Sequence, residues 1–328
     1  MKFDVIIGNP PYQEETKGHG QQAKPLYNLF IKEIKKLNPE ITSLIIPSRW
    51  FSGGMGLNKF RQEMLEDDSI CSIYDFPNTD DAFDNVDVPG GVCIYLRDKN
   101  YHGQCRVTNF INGEEFTAIR PLNEYATFVR FSQAIPIIRK VFEIENPNKT
   151  MEQTVSPQKP FGLSTNYKPR ESGVPCFFIQ KIGKKFADPK DIQDNNNLLN
   201  LWKLLVPRSP IAGQTDFTKK VGFYYDGNTN IAAPGECCTE SFIVAGAFKT
   251  KEELLHFKSY LFTKTVRFLL LQAVVSQDVL RNKYCFVPAL EKYDQYFSDE
   301  ILRDRWKITD DEWKYIDSRI HNYEKKVK

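Results

Sequence analysis

Short apolar runs that alternate with amphipathic stretches constrain the fold of the first third of this chain. Four of them have the length and composition of strands: FDVIIG (3–8), TSLIIPS (42–48), SICSIYDF (69–76) and GGVCIYLR (90–97). Between them, residues 25–37 and 57–67 carry apolar side chains at helical spacing. This order predicts half of a doubly wound α/β sheet, with the first run as a buried parallel strand.

The pattern changes after residue 110, where prolines, asparagines and aromatic residues increase. The predicted elements are a linking helix (134–144), a turn-rich connector (146–160), short strands and loops (160–250), one long helix (251–274) and two short helices N-capped by Ser298 and Thr309. The sequence therefore predicts an α/β domain over 1–150 and an α+β domain over 151–328.

Composition predicts a cytoplasmic protein without membrane spans. The hydrophobic fraction is 41% and the charged fraction 26%, which is ordinary for a soluble chain. No apolar run reaches the roughly 18 residues of a membrane span, and Asp4 interrupts any apolar stretch of a secretory signal. The 7 cysteines are scattered and odd in number, which favours reduced thiols.

Charge is unevenly distributed along the chain. Residues 1–155 hold 17 basic and 21 acidic residues, whereas residues 156–290 hold 18 and 11. The basic residues cluster at Lys168, Arg170, Lys181, Lys184, Lys185, Lys190, Lys203, Arg208, Lys219 and Lys220, among the aromatic residues Tyr167, Phe177, Phe178, Phe186 and Trp202. This basic cluster predicts contact with a polyanion, and a solvated basic face is the alternative.

The stretch NPPY directly follows the first strand. Open α/β sheets bind ligands at the carboxyl ends of their strands. Two prolines remove two backbone donors, so the Asn9 side-chain carbonyl and the Pro10 backbone carbonyl are free to accept both protons of one –NH2 group. Tyr12 offers a flat face for stacking. Asn9, Pro10, Pro11 and Tyr12 therefore suit an amine on a planar heterocycle.

These four residues resemble motif IV of the amino-group DNA methyltransferases that methylate adenine N6. The segments that follow are similar to successive catalytic segments of the adenine methyltransferases of bacterial restriction–modification systems: LYNLF (26–30), LIIPSRW (44–50), NKFRQEML (58–65) and VDVPGGVCIYLR (86–97). The resemblance covers residues 1–110, and residues 160–290 resemble a target-recognition region in position more than in sequence.

The resemblance implies double-stranded DNA as substrate, S-adenosylmethionine as methyl donor and an adenine flipped out of the duplex. Asn9, Pro10, Pro11 and Tyr12 would be catalytic, with Tyr12 and Phe83 against the flipped base. The basic cluster, without Lys190, would bind DNA. Residues 1–150 would be a partial catalytic domain and residues 151–328 the target-recognition domain with its C-terminal helices.

A glycine-rich cofactor turn is expected before NPPY in this family, yet only eight residues precede Asn9. GHGQQA (18–23), GGMG (53–56) and VAGAF (244–248) are interpreted as loop or turn glycines. A half sheet would expose an apolar edge. The chain is therefore expected to be a fragment, a subunit whose partner chain supplies the cofactor half, or a remnant, with weak or absent methyl transfer alone.

Two other functions remain open. One is a noncatalytic DNA-binding specificity module that retains part of the methyltransferase sheet, and the other is a protein or RNA amino-methyltransferase. No metal site is expected, because the 4 histidines lack metal spacing and Cys237–Cys238 has no C-x-x-C partner. The sequence contains no convincing pair of acidic residues with a nearby E-x-K motif, so no nuclease site is expected.

Overall fold

The structure is a computed structural model that describes residues 3–14, 23–52, 56–86, 88–111, 113–211, 213–214, 216–274 and 277–322. It divides into two compact units, Met1–Ile135 with Thr215–Lys219 and Pro136–Gln214 with Lys220–Lys328. The predicted boundary of the functional domains after residue 150 stays a prediction.

The first unit is built on one mixed six-stranded sheet. Its strands are β1 (Val5–Gly8), β2 (Ile41–Pro47), β3 (Ile70–Phe76), β4 (Val92–Asp98), β5 (Cys105–Ile111) and β6 (Glu114–Arg120). Their order is β1-β2-β4-β3-β5-β6, in which β1 with β2 and β3 with β5 are parallel pairs and the other pairs are antiparallel. The α/β class predicted for this region is therefore confirmed, and its assignment to a doubly wound sheet stays a prediction.

Two helices cover the sheet, α1 (Tyr27–Leu37) after β1 and α2 (Asn58–Leu65) after β2. Tyr27 and Ile31 on α1 and Phe60 on α2 share one apolar core with buried strand residues. This burial follows from the helical spacing of the apolar positions.

The first strand is not buried, so that prediction is wrong for this chain. Val5 is 52% exposed and Ile7 77% exposed. The reason is position, because β1 lies at the edge of the sheet and pairs with β2 alone among the described strands. The apolar edge expected of a half sheet is present.

Strands β5 and β6 extend this sheet beyond the part that the sequence predicted. They form an antiparallel hairpin from Cys105↔Arg120 to Ile111↔Glu114. The sequence did carry a signal, since an Asn-Gly pair at 112–113 joins the two runs and Gly113 has a positive φ of 81°.

The second unit contains two three-stranded sheets and several helices. The strands are β7 (Val174–Phe177), β8 (Lys184–Ala187), β9 (Trp202–Pro207), β10 (Asn230–Ala232), β11 (Cys237–Cys238) and β12 (Phe242–Phe248), in the orders β11-β7-β8 and β10-β9-β12. The helices are α3 (Ala134–Ile144), which begins in the first unit, α4 (Lys251–Phe262), α5 (Lys264–Leu271), α6 (Asp299–Trp306) and α7 (Asp310–Arg319). Within the described ranges, none of the helices combines the length and the apolarity that a membrane crossing requires.

Two predictions about the helices have different outcomes. The single helix predicted over 251–274 is wrong, because Thr263 leaves the helical conformation and its side chain accepts a hydrogen bond from Val266 N, which starts a new helix. The predicted N-caps are confirmed: Ser298 caps α6, and Thr309 forms a capping box with Glu312 at α7.

Candidate active site

The NPPY loop leaves the carboxyl end of β1 and turns directly toward α1. Pro10 is buried, whereas Asn9 and Pro11 are exposed. Leu26 N donates to Tyr12 O at 3.1 Å, and Glu14 N donates to Lys24 O at 2.9 Å. These bonds fix the backbone at the end of the loop and after it, and Asn9 remains exposed.

Tyr12 lines a cavity of about 300 Å³ in the first unit. The other lining residues are Gln13, Ala23, Pro25, Tyr27, Pro47, Arg49, Val88 and Pro89. Three segments that the resemblance singled out (26–30, 44–50 and 86–97) each supply part of this wall. They meet because β4 runs antiparallel to β2, so the residues before β4 lie at the carboxyl end of β2.

Two tyrosine hydroxyls at this cavity are buried without a hydrogen-bond partner among the described residues, those of Tyr12 and Tyr27. Burial raises the pKa of each phenol. Both groups are therefore neutral at physiological pH and able to donate or accept a hydrogen bond. Because an unsatisfied buried hydroxyl costs about 1–3 kcal/mol, the cavity favours a ligand with polar groups.

Asn9 lies beside Tyr12, whose side chain lines the cavity. Its side chain is close enough to the Tyr12 hydroxyl to lower the pKa of that phenol in part, although burial outweighs this effect. The amide and the aromatic ring are thus next to each other at one end of the sheet. This arrangement suits a planar ligand that carries a hydrogen-bond donor on its ring.

The wall formed by Val88 and Pro89 is held by backbone geometry that requires glycine. Gly91 has a φ of 76°, and a Cβ there would lie 2.1 Å from Phe76 O. Ser48 N donates to Gly91 O at 2.9 Å, and the Thr79 hydroxyl lies 3.2 Å from both Val88 O and Val88 N. The segment before β4 is therefore pinned to its neighbours.

A buried ion pair at the carboxyl end of β3 supports the same region. Arg130 donates from Nε and Nη2 to the two carboxylate oxygens of Asp75, each at 2.8 Å. Ser48 Oγ and Asn109 Nδ2 also donate to Asp75, at 3.0 and 3.1 Å. Asp75 is fully buried, so all four interactions act in a medium of low dielectric constant.

Sequence reasoning missed both this network and the wall residues Tyr27 and Arg49. No linear signal joins positions 48, 75, 109 and 130, because the sheet order alone brings them together. Tyr27 and Arg49 do lie inside segments that the resemblance named, so those segments were the available signal.

Phe83 is half-buried after the turn at Thr79–Asp81, with its N–H bonded to Thr79 O at 2.9 Å. The described residues that line the Tyr12 cavity do not include it. Its assignment to the flipped base therefore stays a prediction that rests on the resemblance.

The glycine segments considered for a cofactor do not form a cradle in the described residues. VAGAF lies inside β12, where a Cβ on Gly246 would be 2.6 Å from the Phe257 ring, so this glycine serves close packing. GGMG is described only at Gly56, and GHGQQA lies outside the described residues except for Ala23. The described residues therefore do not fit the binding of S-adenosylmethionine through a glycine-rich turn after a strand.

The basic cluster is mostly on the surface. Lys168, Arg170, Lys181, Lys184, Lys185, Lys190, Lys219 and Lys220 are exposed, and Arg208 is half-buried beside Asp278. Lys203 is fully buried, and its ammonium donates to the carbonyls of Leu199, Leu201 and Ala233. The prediction that Lys203 binds DNA is wrong for this reason.

Among the described residues, no group of three or more His, Cys, Asp or Glu side chains is arranged to hold a metal ion. The 7 cysteines are all free thiols. Burial, together with the nearby Asp75 carboxylate, raises the pKa of the Cys93 thiol to about 12. This thiol is therefore protonated at physiological pH and is not a nucleophile.

The first part of the chain is similar to known proteins. Residues 1–83 match the family described as Eco57I restriction-modification methylase. An uncharacterized adenine-specific methylase of Mycoplasma pneumoniae is 33% identical over 107 residues, which are 32% of this chain and 25% of that protein. The first part of the chain is thus similar to adenine-specific methylases, and the resemblance to restriction–modification methylases is confirmed over residues 1–83. The match spans a quarter of the length of that relative.

Solved structures give weaker likenesses. The type IIG restriction endonuclease BpuSI aligns over 93% of this chain and 48% of its own, with a TM-score of 0.37 and 10% identity. A type I restriction-modification methyltransferase subunit from Streptococcus thermophilus aligns over 43% of this chain and 32% of its own, with a TM-score of 0.26 and 13% identity.

Proposed function

We propose that the first unit is the adenine-binding half of a site-specific DNA methyltransferase that acts on adenine N6. The observation that supports it best is the accessible Asn9 beside a cavity where the Tyr12 and Tyr27 hydroxyls have no hydrogen-bond partner in the described part of the chain. The sheet of this unit would then be part of a doubly wound methyltransferase sheet.

In this proposal the chain's own residues hold and polarise the target amine. The Asn9 side-chain carbonyl and the Pro10 carbonyl each accept a hydrogen bond from one N–H of the adenine amino group, which directs the nitrogen lone pair toward the methyl group of the donor. The Tyr12 ring stacks against the flipped base. S-adenosylmethionine is the donor that the resemblance implies, and the described residues include no site for it.

The cofactor half would come from a segment that the described residues do not include, either elsewhere in a longer polypeptide or in a partner chain. Strand β1 offers the joining edge, because its backbone pairs on one side alone among the described strands and Ile7 is 77% exposed. A further strand added there would bury this apolar edge.

The second unit would be the target-recognition domain, and double-stranded DNA its partner. Lys168, Arg170, Lys181, Lys184, Lys185, Arg208 and Lys220 are the proposed DNA contacts in this unit, with Lys203 left out, and Lys219 is a further proposed contact from the first unit. Cations of this kind supply affinity through phosphates, and they do not read sequence. The protein would act in the cytoplasm.

A noncatalytic specificity module is the second candidate. The exposed edge of β1 and the poor fit of the described residues to the cofactor favour it. Such a module would bind duplex DNA sequence-specifically and would never produce N6-methyladenine.

The test compares chromosomal methylation in a bacterial host that lacks adenine methylation. The gene is expressed alone and with its neighbouring reading frames, and N6-methyladenine is read by single-molecule sequencing. We expect a methylated motif when the neighbours are present, and its loss in Asn9→Ala. The exposed Asn148→Ala is the matched control and should keep full methylation. Unchanged methylation in Asn9→Ala would refute the catalytic role, whereas sequence-specific binding with no methylation would favour the module.

A further inference from the structure

The strands β7 and β8 form a short antiparallel ribbon with a tight tip, and β11 pairs with β7 on its other side. Their antiparallel register runs from Val174↔Ala187 to Phe177↔Lys184. Ile182 N and Gly183 N both donate to Ile179 O, at 2.9 and 3.0 Å, and Gly183 takes a positive φ of 73°. The turn is therefore fixed by backbone bonds, and its side chains are free to face a partner.

The side chains at this tip differ in chemistry from those along the strands. Gln180 and Lys181 are exposed, and Ile182 is 36% exposed although it is a large apolar residue. Among the described residues neither Lys181 nor Lys185 has a carboxylate within ion-pair distance. By contrast, Lys184 pairs with Glu236 and lies 4.9 Å from the centre of the Phe177 ring. Lys184 thus stiffens the ribbon, and the other two lysines remain available.

A cavity of about 470 Å³ adjoins the tip within the same unit. Gln180 lines it from the ribbon, Arg208 and Ser209 line it from the residues after β9, and Asn230 lines it from β10. The Ser241 hydroxyl on its wall is buried without a hydrogen-bond partner among the described residues. The surface beside the tip therefore presents further donors and acceptors.

We propose that the tip of this ribbon reads base edges in the major groove of duplex DNA, which deepens the proposed function of the second unit and rests on it. The major groove, about 12 Å wide, admits two antiparallel strands and therefore also the turn that joins them, and a glutamine amide pairs with adenine through two hydrogen bonds. An exposed apolar side chain such as Ile182 suits the methyl group of thymine. Lys181 and Lys185 contact the flanking phosphates and position the ribbon without reading sequence.

In the experiment, the full chain is used to select the duplexes that it binds from a random library. The selected duplexes are then sequenced. Relative affinities for the recovered consensus and its single-base variants are then measured by fluorescence anisotropy. In Gln180→Ala we expect discrimination at one position of the site to fall roughly 5- to 150-fold, with the other positions unchanged. In Lys185→Ala we expect equal weakening on all sequences and a salt slope smaller by about 1.

Two exposed residues of the same unit serve as matched controls, Gln295→Ala for the amide and Lys292→Ala for the lysine. Both should behave as the wild type, and all four variants should keep the wild-type melting temperature because their side chains are exposed. An identical consensus and identical relative affinities in Gln180→Ala would overturn the reading role of the ribbon while leaving DNA binding intact. A wild-type chain that selects no consensus would overturn both the ribbon's role and the proposed target-recognition domain, whereas methylation in the first unit is judged separately through Asn9.

Discussion

Lys203, at the start of β9, shows what burial does to a single charged residue. Its ammonium is removed from water and donates to three backbone carbonyls, from Leu199, Leu201 and Ala233. Burial lowers its pKa to about 8 from an ordinary value of 10.5, and the nearby Cys238 and Glu236 oppose this shift in part. The residue therefore ties two loops together and is a structural lysine.

This pKa predicts how stability depends on pH. Between about pH 8 and pH 10.5 the unfolded chain binds the lysine proton and the folded chain does not, so this group's contribution to stability rises with pH. We expect the free energy of unfolding of the wild type, minus that of Lys203→Met, to grow by about 2 kcal/mol from about pH 7 to about pH 9.5. Urea unfolding of both proteins at the two pH values measures it. A difference that stays constant or shrinks would contradict the prediction.

Residues differ in how far their sequence neighbours reveal their role. Asn9, Pro10 and Tyr12 are close together in the sequence directly after a strand, so sequence alone predicted their place at the carboxyl end of that strand. Lys203 carries the same charge in the sequence as Lys185, and nothing local shows that one is buried and the other exposed. Burial is a property of the packed unit, which the linear pattern does not contain.

The apolar side chains of strand β1 are more exposed to water than apolar side chains usually are. Val5 and Ile7 share one side of the strand, and both remain largely in water. Among the described strands β1 pairs with β2 alone, so the backbone groups along its other edge favour pairing with a further strand. The element is therefore suited to association.

Substitution of Ile7 tests this element directly. Ile7→Lys should weaken concentration-dependent association of the chain, as measured by sedimentation velocity, because a charge on an edge strand opposes strand addition. The free energy of unfolding should change by less than about 0.5 kcal/mol, since the side chain is exposed. Ile119→Lys is the matched control, because Ile119 is 62% exposed on β6 at the opposite edge of the same sheet. Equal effects of the two substitutions would show that β1 has no special role.

Elements were predicted best where apolar spacing was continuous, as for α1, β2 and β4. The hairpin of β5 and β6 was missed because alternating polar residues such as those of EEFTAIR resemble an exposed loop until a neighbouring strand pairs with them. The single helix predicted over 251–274 divides because Thr263 caps a new helix, and the apolar spacing continues across that break. The N-cap at Thr263 therefore sets the boundary between α4 and α5, which the apolar periodicity alone does not show.

The net charge of the whole chain is much smaller than the net charge of its middle part. The net charge of the chain is only +2, yet residues 156–290 carry seven more basic than acidic residues. Most of the basic cluster is exposed in the second unit, and the proposed catalytic loop lies in the first. Binding of the DNA backbone and recognition of the flipped base would therefore be assigned to different units, and substitutions should separate them.

The salt dependence of DNA binding tests this separation. Lys168 and Arg170 are exposed, so replacing both with alanine should lower the affinity for a duplex at low salt. The slope of log affinity against log salt should fall by about 2, because each phosphate contact contributes about 0.9. Asn9→Ala should leave the slope unchanged, since the residue would contact only the flipped base. Anisotropy titrations over a salt series measure all three proteins. An unchanged slope in the double variant would show that these two cations belong to a solvated face, which is the alternative that charge alone left open.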